Sequence, residues 1–202
     1  MVCTVGIFLF ENVEVLDFAG PYEVFSTASR VFKRLHGTET STFDVFTVAQ
    51  SKATVRARAG LRVVPDYDFE DHPPIDLLIV PGGIVTEELA KPQVSKWIEA
   101  CSRSARITAS ICTGAFLLGK AGLLEKKAAT THWEDIAEMQ AMFPSVNVLD
   151  GQRWVDEGHV VTSAGISAGI DMSLHLVARI VDHRLATSTA RQMDFDWRDR
   201  PC

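Results

Sequence analysis

Arg106-Ile107-Thr108-Ala109-Ser110-Ile111-Cys112-Thr113-Gly114-Ala115-Phe116-Leu117-Leu118-Gly119 is the stretch whose reading fixes the fold. A β-rich run stops at a cysteine, and a helix of small and leucine residues begins at once. The spacing small-x-nucleophile-x-Gly, with Ser110, Cys112 and Gly114 in those places, matches a nucleophile elbow at the carboxyl end of a strand. Cys112 is expected to stand exposed there, where the helix's positive end and nearby N–H groups lower a thiol pKa. A buried packing role is the commoner fate of cysteine. It requires no such strand-to-helix punctuation, so the nucleophile is the preferred reading.

Outward from this stretch, apolar β-rich runs recur at 3–10, 43–49 and 76–80, separated by helical stretches. That alternation is expected of an open, doubly wound α/β fold with a mostly parallel sheet and helices on both faces. Residues 17–34 read as a helix, with Pro21 in its first turn and Val24, Phe25, Ala28, Val31, Phe32 and Leu35 as its apolar stripe. Residues 53–67 alternate around Gly60 as an antiparallel hairpin at the sheet edge or lying across it. Pro92 opens a helix with Val94, Trp97, Ile98 and Cys101 on one face. Then come a helix at 133–143, short strands at 146–149, 153–156 and 159–163, and closing helices at 166–183 and 185–193. Asp171, His175 and Arg179 mark a polar stripe on the first closing helix, which makes it a packing helix and not a membrane span. Residues 192–201 lack periodicity and read as a loose terminus, or else as a tail docking on a partner subunit. No repeat, linker or low-complexity tract divides the chain, so 1–202 reads as one domain.

Composition narrows the function. With 20 Lys and Arg against 26 Asp and Glu, a formal charge of −6 and no basic block, nucleic acid is disfavoured as a direct ligand. Cys3, Cys101, Cys112 and Cys202 show neither disulfide density nor zinc spacing, which implies a reduced, cytoplasmic protein with no metal. The apolar start, residues 1–10, has no basic region and soon meets Glu11 and Glu14, so it reads as a buried strand and not as a signal peptide or span. Trp97, Trp133 and Trp154 read as core or dimer contacts. His36, His72, His159, His175 and His183 have no ligand spacing.

Pro81-Gly82-Gly83 follows the strand at 76–80 and is either a plain tight turn or a source of backbone donors. In open α/β sheets ligands bind beyond the carboxyl ends of strands, where this turn and residues 112–114 should meet. There the N–H groups near Gly82, Gly83 and Gly114 could form an oxyanion hole. Together with Asp17-Phe18-Ala19-Gly20-Pro21, Ser110-Ile111-Cys112-Thr113-Gly114 and Ala129-Thr130-Thr131-His132-Trp133, the turn resembles the DJ-1/PfpI superfamily. The likeness extends to about residue 185 and is closest to the isocyanide (isonitrile) hydratases and the amidase-like domains of AraC-type regulators.

The resemblance implies a flavodoxin-like sandwich of the class I glutamine amidotransferase type, a homodimer, and Cys112 as the reactive thiol. In the hydratase branch an aspartate of the D-x-x-G-P motif lies beside the cysteine, and Asp17 matches it, with a helix N-cap as its plainer role. Thr113 matches the threonine after that cysteine and would orient Asp17 or a water, or simply cap the helix. The protease-like branch has a histidine in that place, which disfavours a Cys-His peptidase. His132 would line the pocket mouth or act as a hydrogen-bonded structural residue. The activity implied is a cofactor-free lyase that turns a small-molecule isocyanide into an N-substituted formamide. The alternative is a non-enzymatic ligand or redox sensor using the same cysteine. Nothing in the chain reads as a DNA-binding domain or a membrane anchor.

Overall fold

The computed structural model describes residues 2–202, so Met1 at the head of the expected domain lies outside the described residues. In chain order the elements are β1 (Cys3–Leu9), α1 (Val15–His36), β2 (Phe43–Ala49), β3 (Val55–Arg56), β4 (Arg62–Val63), β5 (Tyr67–Asp68), β6 (Leu77–Val80), α2 (Thr86–Leu89) and α3 (Pro92–Ser104). There follow β7 (Ile107–Ile111), α4 (Gly114–Lys120), β8 (Ala128–Ala129), α5 (Ile136–Met142), β9 (Asn147–Val148), β10 (Trp154–Asp156), β11 (Val160–Ser163), α6 (Ala168–Ile180) and α7 (His183–Gln192).

Seven strands form one sheet in the order β10-β11-β7-β6-β1-β2-β5. Every pairing is parallel except β10 with β11 at one edge. Helices α1, α6 and α7 pack on one another, and α2, α3 and α4 form a second group. This is the flavodoxin-like arrangement. The central strands are rich in apolar and small residues because both faces are covered: all four residues of β6 and all five of β7 are buried. Since β2 and β6 lie on opposite sides of β1, the loops after β1, β6 and β7 gather at the carboxyl edge where the winding reverses.

Several local expectations need correction. Helix α1 starts at Val15, capped by Glu14, so Pro21 falls in its second turn and not its first. There it removes only the N–H that would have bonded the Asp17 carbonyl. Leu35 is 41% exposed and leaves the apolar stripe in the helix's last turn. The hairpin β3–β4 is a separate two-stranded sheet and is not an edge of the main one. It is tied to the loop after β1, with Asn12 N donating to Arg56 O at 2.8 Å and Arg58 N to Val13 O at 3.0 Å. Trp97 and Trp154 are buried, whereas Trp133 is 71% exposed. The edge strand β5, the single turn α2 and β8 carry too few residues to show a period, whereas β9 falls within the strand expected at 146–149.

The polar stripe of α6 is not a solvated face. Asp171 is buried and accepts from Arg153 Nε at 2.7 Å, from Arg153 Nη2 and from Arg198 N at 2.9 Å. His175 and Arg179 both reach Asp156 of β10. The final segment is therefore not loose, because it is fastened to its own chain. Trp197 Nε1 donates to Asp171 O at 3.2 Å, and Arg153 N donates to Pro201 O at 2.6 Å. Met193, Phe195 and Trp197 pack on the core. Among the described residues no helix is long and apolar enough to cross a membrane.

Asp171→Ala should leave Arg153 without its carboxylate and Arg198 N without its acceptor, lowering stability by about 3 kcal/mol as read from the urea midpoint. A loss under about 1 kcal/mol would mean the tail is held by its apolar contacts alone.

Candidate active site

Cys112 has φ 55°, a left-handed conformation uncommon for residues other than glycine, between the end of β7 and the start of α4. The bend is clamped from both sides. Cys112 N donates to Ser163 O at 3.1 Å, and Thr131 Oγ1 donates to Cys112 O at 2.9 Å. Gly114 is required by contact, since a Cβ there would stand 2.1 Å from Val80 O and 2.7 Å from Pro81 O. Gly82 faces the same limit, with a Cβ 2.6 Å from Thr113 N and 2.9 Å from Cys112 Cβ. Backbone therefore meets backbone where β6 and β7 end.

Asp17 lies in the first turn of α1, fully buried. Its Oδ2 accepts from Gly82 N at 3.0 Å, while Oδ1 is buried with no hydrogen-bond partner. Burial above all pushes its pKa up to about 7, with the nearby Glu14 charge adding to the rise and the Gly82 N–H opposing it. The Cys112 thiol neighbours this carboxyl without closing a hydrogen bond of good geometry. Burial, then the charge of Asp17, pushes the thiol up to about 12. Backbone N–H groups of Thr113 and Ile166 face the sulfur and favour the thiolate, but they are outweighed. The expectation of an exposed, ionised cysteine is thus corrected: Cys112 is 7% exposed and rests as a neutral thiol, because desolvation exceeds what a short helix and two N–H groups return.

Two of the three expected oxyanion donors, Gly82 and Gly83, are already engaged within the protein. Gly82 N is spent on Asp17, and Gly83 N donates to Thr113 Oγ1 at 2.9 Å. Thr113 Oγ1 in turn donates to Gly83 O at 2.9 Å, so its hydroxyl neither caps α4 nor reaches Asp17. It fastens the turn after β6 to the elbow. Asp17 is not the N-cap of α1; Glu14 is, accepting from Val15 N at 3.2 Å.

A cavity of about 220 Å³ opens onto Cys112 and Thr113, with Gly83 at its base. His132 lines it, as expected for the pocket mouth. Its ring rests on Gly165, where a Cβ would stand 2.1 Å from His132 Cδ2, and its Nδ1 lies 3.5 Å from Asp135 Oδ2 and 3.7 Å from Glu134 Oε2. Sequence reasoning missed Glu14, Arg58, Glu134, Asp135 and Ile166 on the same walls. Ile166 has φ 48°, strained for a β-branched residue, and this aims its N–H at the sulfur. None of the five belongs to a motif, and only the folded chain brings them together. Among the described residues no cluster of three His, Cys, Asp or Glu side chains is disposed to hold a metal.

The fold and site define a flavodoxin-like α/β protein with a cysteine at its strand-to-helix elbow. The chain belongs to the DJ-1/PfpI family, whose model matches residues 3–179. It is 33% identical over 196 residues to the isonitrile hydratase of Pseudomonas putida, covering 96% of this chain and 79% of that protein. It is 28% identical to the HTH-type transcriptional regulator GbdR of Pseudomonas aeruginosa, over 96% of this chain and 51% of the regulator, so it spans about half the length of that relative. Among solved structures, a ThiJ/PfpI family protein from Pseudomonas syringae superposes with a TM-score of 0.84 at 25% identity, over 97% of this chain and 76% of that one.

Replacing Asp17 by Asn removes the like charge beside the sulfur, so alkylation of Cys112 by iodoacetamide at pH about 8 should accelerate as the thiol pKa falls. Folding holds the Asp17 proton more tightly than the unfolded chain does. The stability this contributes is full below the ordinary carboxylate range and is lost as pH rises through about 7. Asp17→Asn should therefore raise the melting temperature above pH ~8 and change it much less near pH ~5.

Proposed function

We propose that the chain is a cofactor-free hydratase that converts a small isocyanide to an N-substituted formamide through Cys112 and Asp17. The observation that carries this is the buried carboxyl with one oxygen unpartnered beside the elbow thiol, its pKa raised to about 7. A group balanced near neutrality is the best placed to take and return a proton.

The pair needs no thiolate at rest. As the sulfur approaches the terminal isocyanide carbon, Asp17 takes the thiol proton and passes it to that same carbon. One C–S and one C–H bond form, giving a thioimidate. Water then attacks this carbon, giving one proton to the nitrogen and the other, through Asp17, to the departing sulfur. The sum is isocyanide plus water giving formamide, with Cys112 regenerated. The N–H groups of Thr113 and Ile166 steady the sulfur as it gains and loses charge. Thr113 serves as a positioning residue that holds Gly83, next to the Gly82 N–H on which Asp17 rests. Gly82, Gly83 and Gly114 act through the space they leave. His132 contributes to the mouth that admits substrate. The homodimer and the cytoplasmic setting belong to this reading as family expectations.

A ligand-sensing role is the second reading, favoured by the similarity to GbdR. An oxidation sensor is the weaker form of it, because such sensors depend on a low-pKa, accessible thiolate and Cys112 is neither.

Purified protein given a simple alkyl isocyanide should release the formamide, detected by mass spectrometry. Cys112→Ala should reduce turnover to background, and Asp17→Asn should cost about 10²- to 10⁴-fold in kcat. Absence of turnover alongside saturable binding of small molecules would favour the sensor.

A further inference from the structure

The walls of the Cys112 cavity carry more negative charge than its chemistry requires. Three carboxylates line it, Glu14, Glu134 and Asp135, against two groups that can be cationic, Arg58 and His132. Arg58 is already committed, with Nη1 3.3 Å from Glu14 Oε2. Behind the sulfur lies the further carboxyl of Asp17, fully buried with one oxygen unpartnered. Even with a charge on His132, acids remain in excess.

These acids reach the reacting atom. The charge of Asp135 is felt at the Cys112 sulfur in the same direction as that of Asp17, holding the thiol protonated. Size adds a second limit, since about 220 Å³ is below the ~300–1,000 Å³ of sites for drug-sized ligands. The empty pocket therefore suits a small occupant of opposite sign. Such an occupant would also help its own reaction, because a cation beside the sulfur favours the thiolate.

We propose that the site selects small electrophiles bearing a positively charged group, an ammonium or amidinium, with Glu134 and Asp135 as the specificity-determining residues and with the electrophilic carbon directed at Cys112. This names the substrate class of the reading above and rests on Cys112 being the centre of the site.

Charge selection can be read without any hydration. Two methanethiosulfonates of similar size, one ending in trimethylammonium and one in sulfonate, each convert a thiol to a mixed disulfide and release methanesulfinate. Their rates at Cys112, followed by peptide mass spectrometry and each divided by the rate with a free small thiol, should differ about tenfold in favour of the cation, as expected for partly exposed charges nearby. Replacing both mouth acids by their amides, Glu134→Gln with Asp135→Asn, should bring the ratio close to unity. A ratio near unity in the unaltered protein, a preference for the sulfonate, or a ratio unmoved by the double substitution would overturn the proposal. Charge preference without isocyanide turnover would sink the hydratase reading alone; turnover without charge preference would sink this one alone.

Discussion

Two segments of the backbone meet beneath the cysteine more closely than any side chain would allow. The start of α4 rests against the carbonyls of Val80 and Pro81, and the turn at Gly82 rests against Thr113 and Cys112. This contact brings the ends of β6 and β7 together, and the remaining geometry follows from it. Gly82 N then reaches Asp17, Gly83 reaches the Thr113 hydroxyl, and Cys112 is held in a left-handed conformation by the bond its N–H donates to Ser163 O and the one its carbonyl accepts from Thr131 Oγ1. A backbone angle that is unfavourable in isolation persists because its surroundings over-determine it.

The electrostatics of the pair follow from the same closeness. Burial raises both pKa values, and the charge of Asp17 further holds the thiol protonated, whereas the thiol itself favours the carboxylate form of Asp17. The two N–H groups aimed at the sulfur offset part of that cost without removing it. What results is a proton held between two groups of unequal acidity, a different starting point from the preformed thiolate that an exposed elbow cysteine would offer.

The legible part of the sequence was the part governed by local rules. Strands β1, β2, β6 and β7 could be read because burial on both faces leaves runs dominated by apolar and β-branched residues. The elbow was legible because a cysteine between a β-rich run and Gly114 has few other uses. Asp17 came from family resemblance, which also implied a partly desolvated acid with a raised pKa, as the buried carboxyl has. The stripe Asp171, His175, Arg179 showed its period and not its partners, since Arg153, Asp156 and Arg198 approach from distant parts of the chain. The occupied N–H groups of Gly82 and Gly83 were likewise hidden: a glycine pair announces available donors but not whether the protein has already claimed them.

The hairpin β3–β4 and the 132–135 turn differ from the cradle they border. Neither pairs with the main sheet, yet they carry Arg58, His132, Glu134 and Asp135. Substitution at the rim therefore leaves the main-chain floor intact, whereas a side chain at Gly82 or Gly114 would force that floor apart. The rim thus sets what meets the sulfur, while the main-chain floor sets where the sulfur sits.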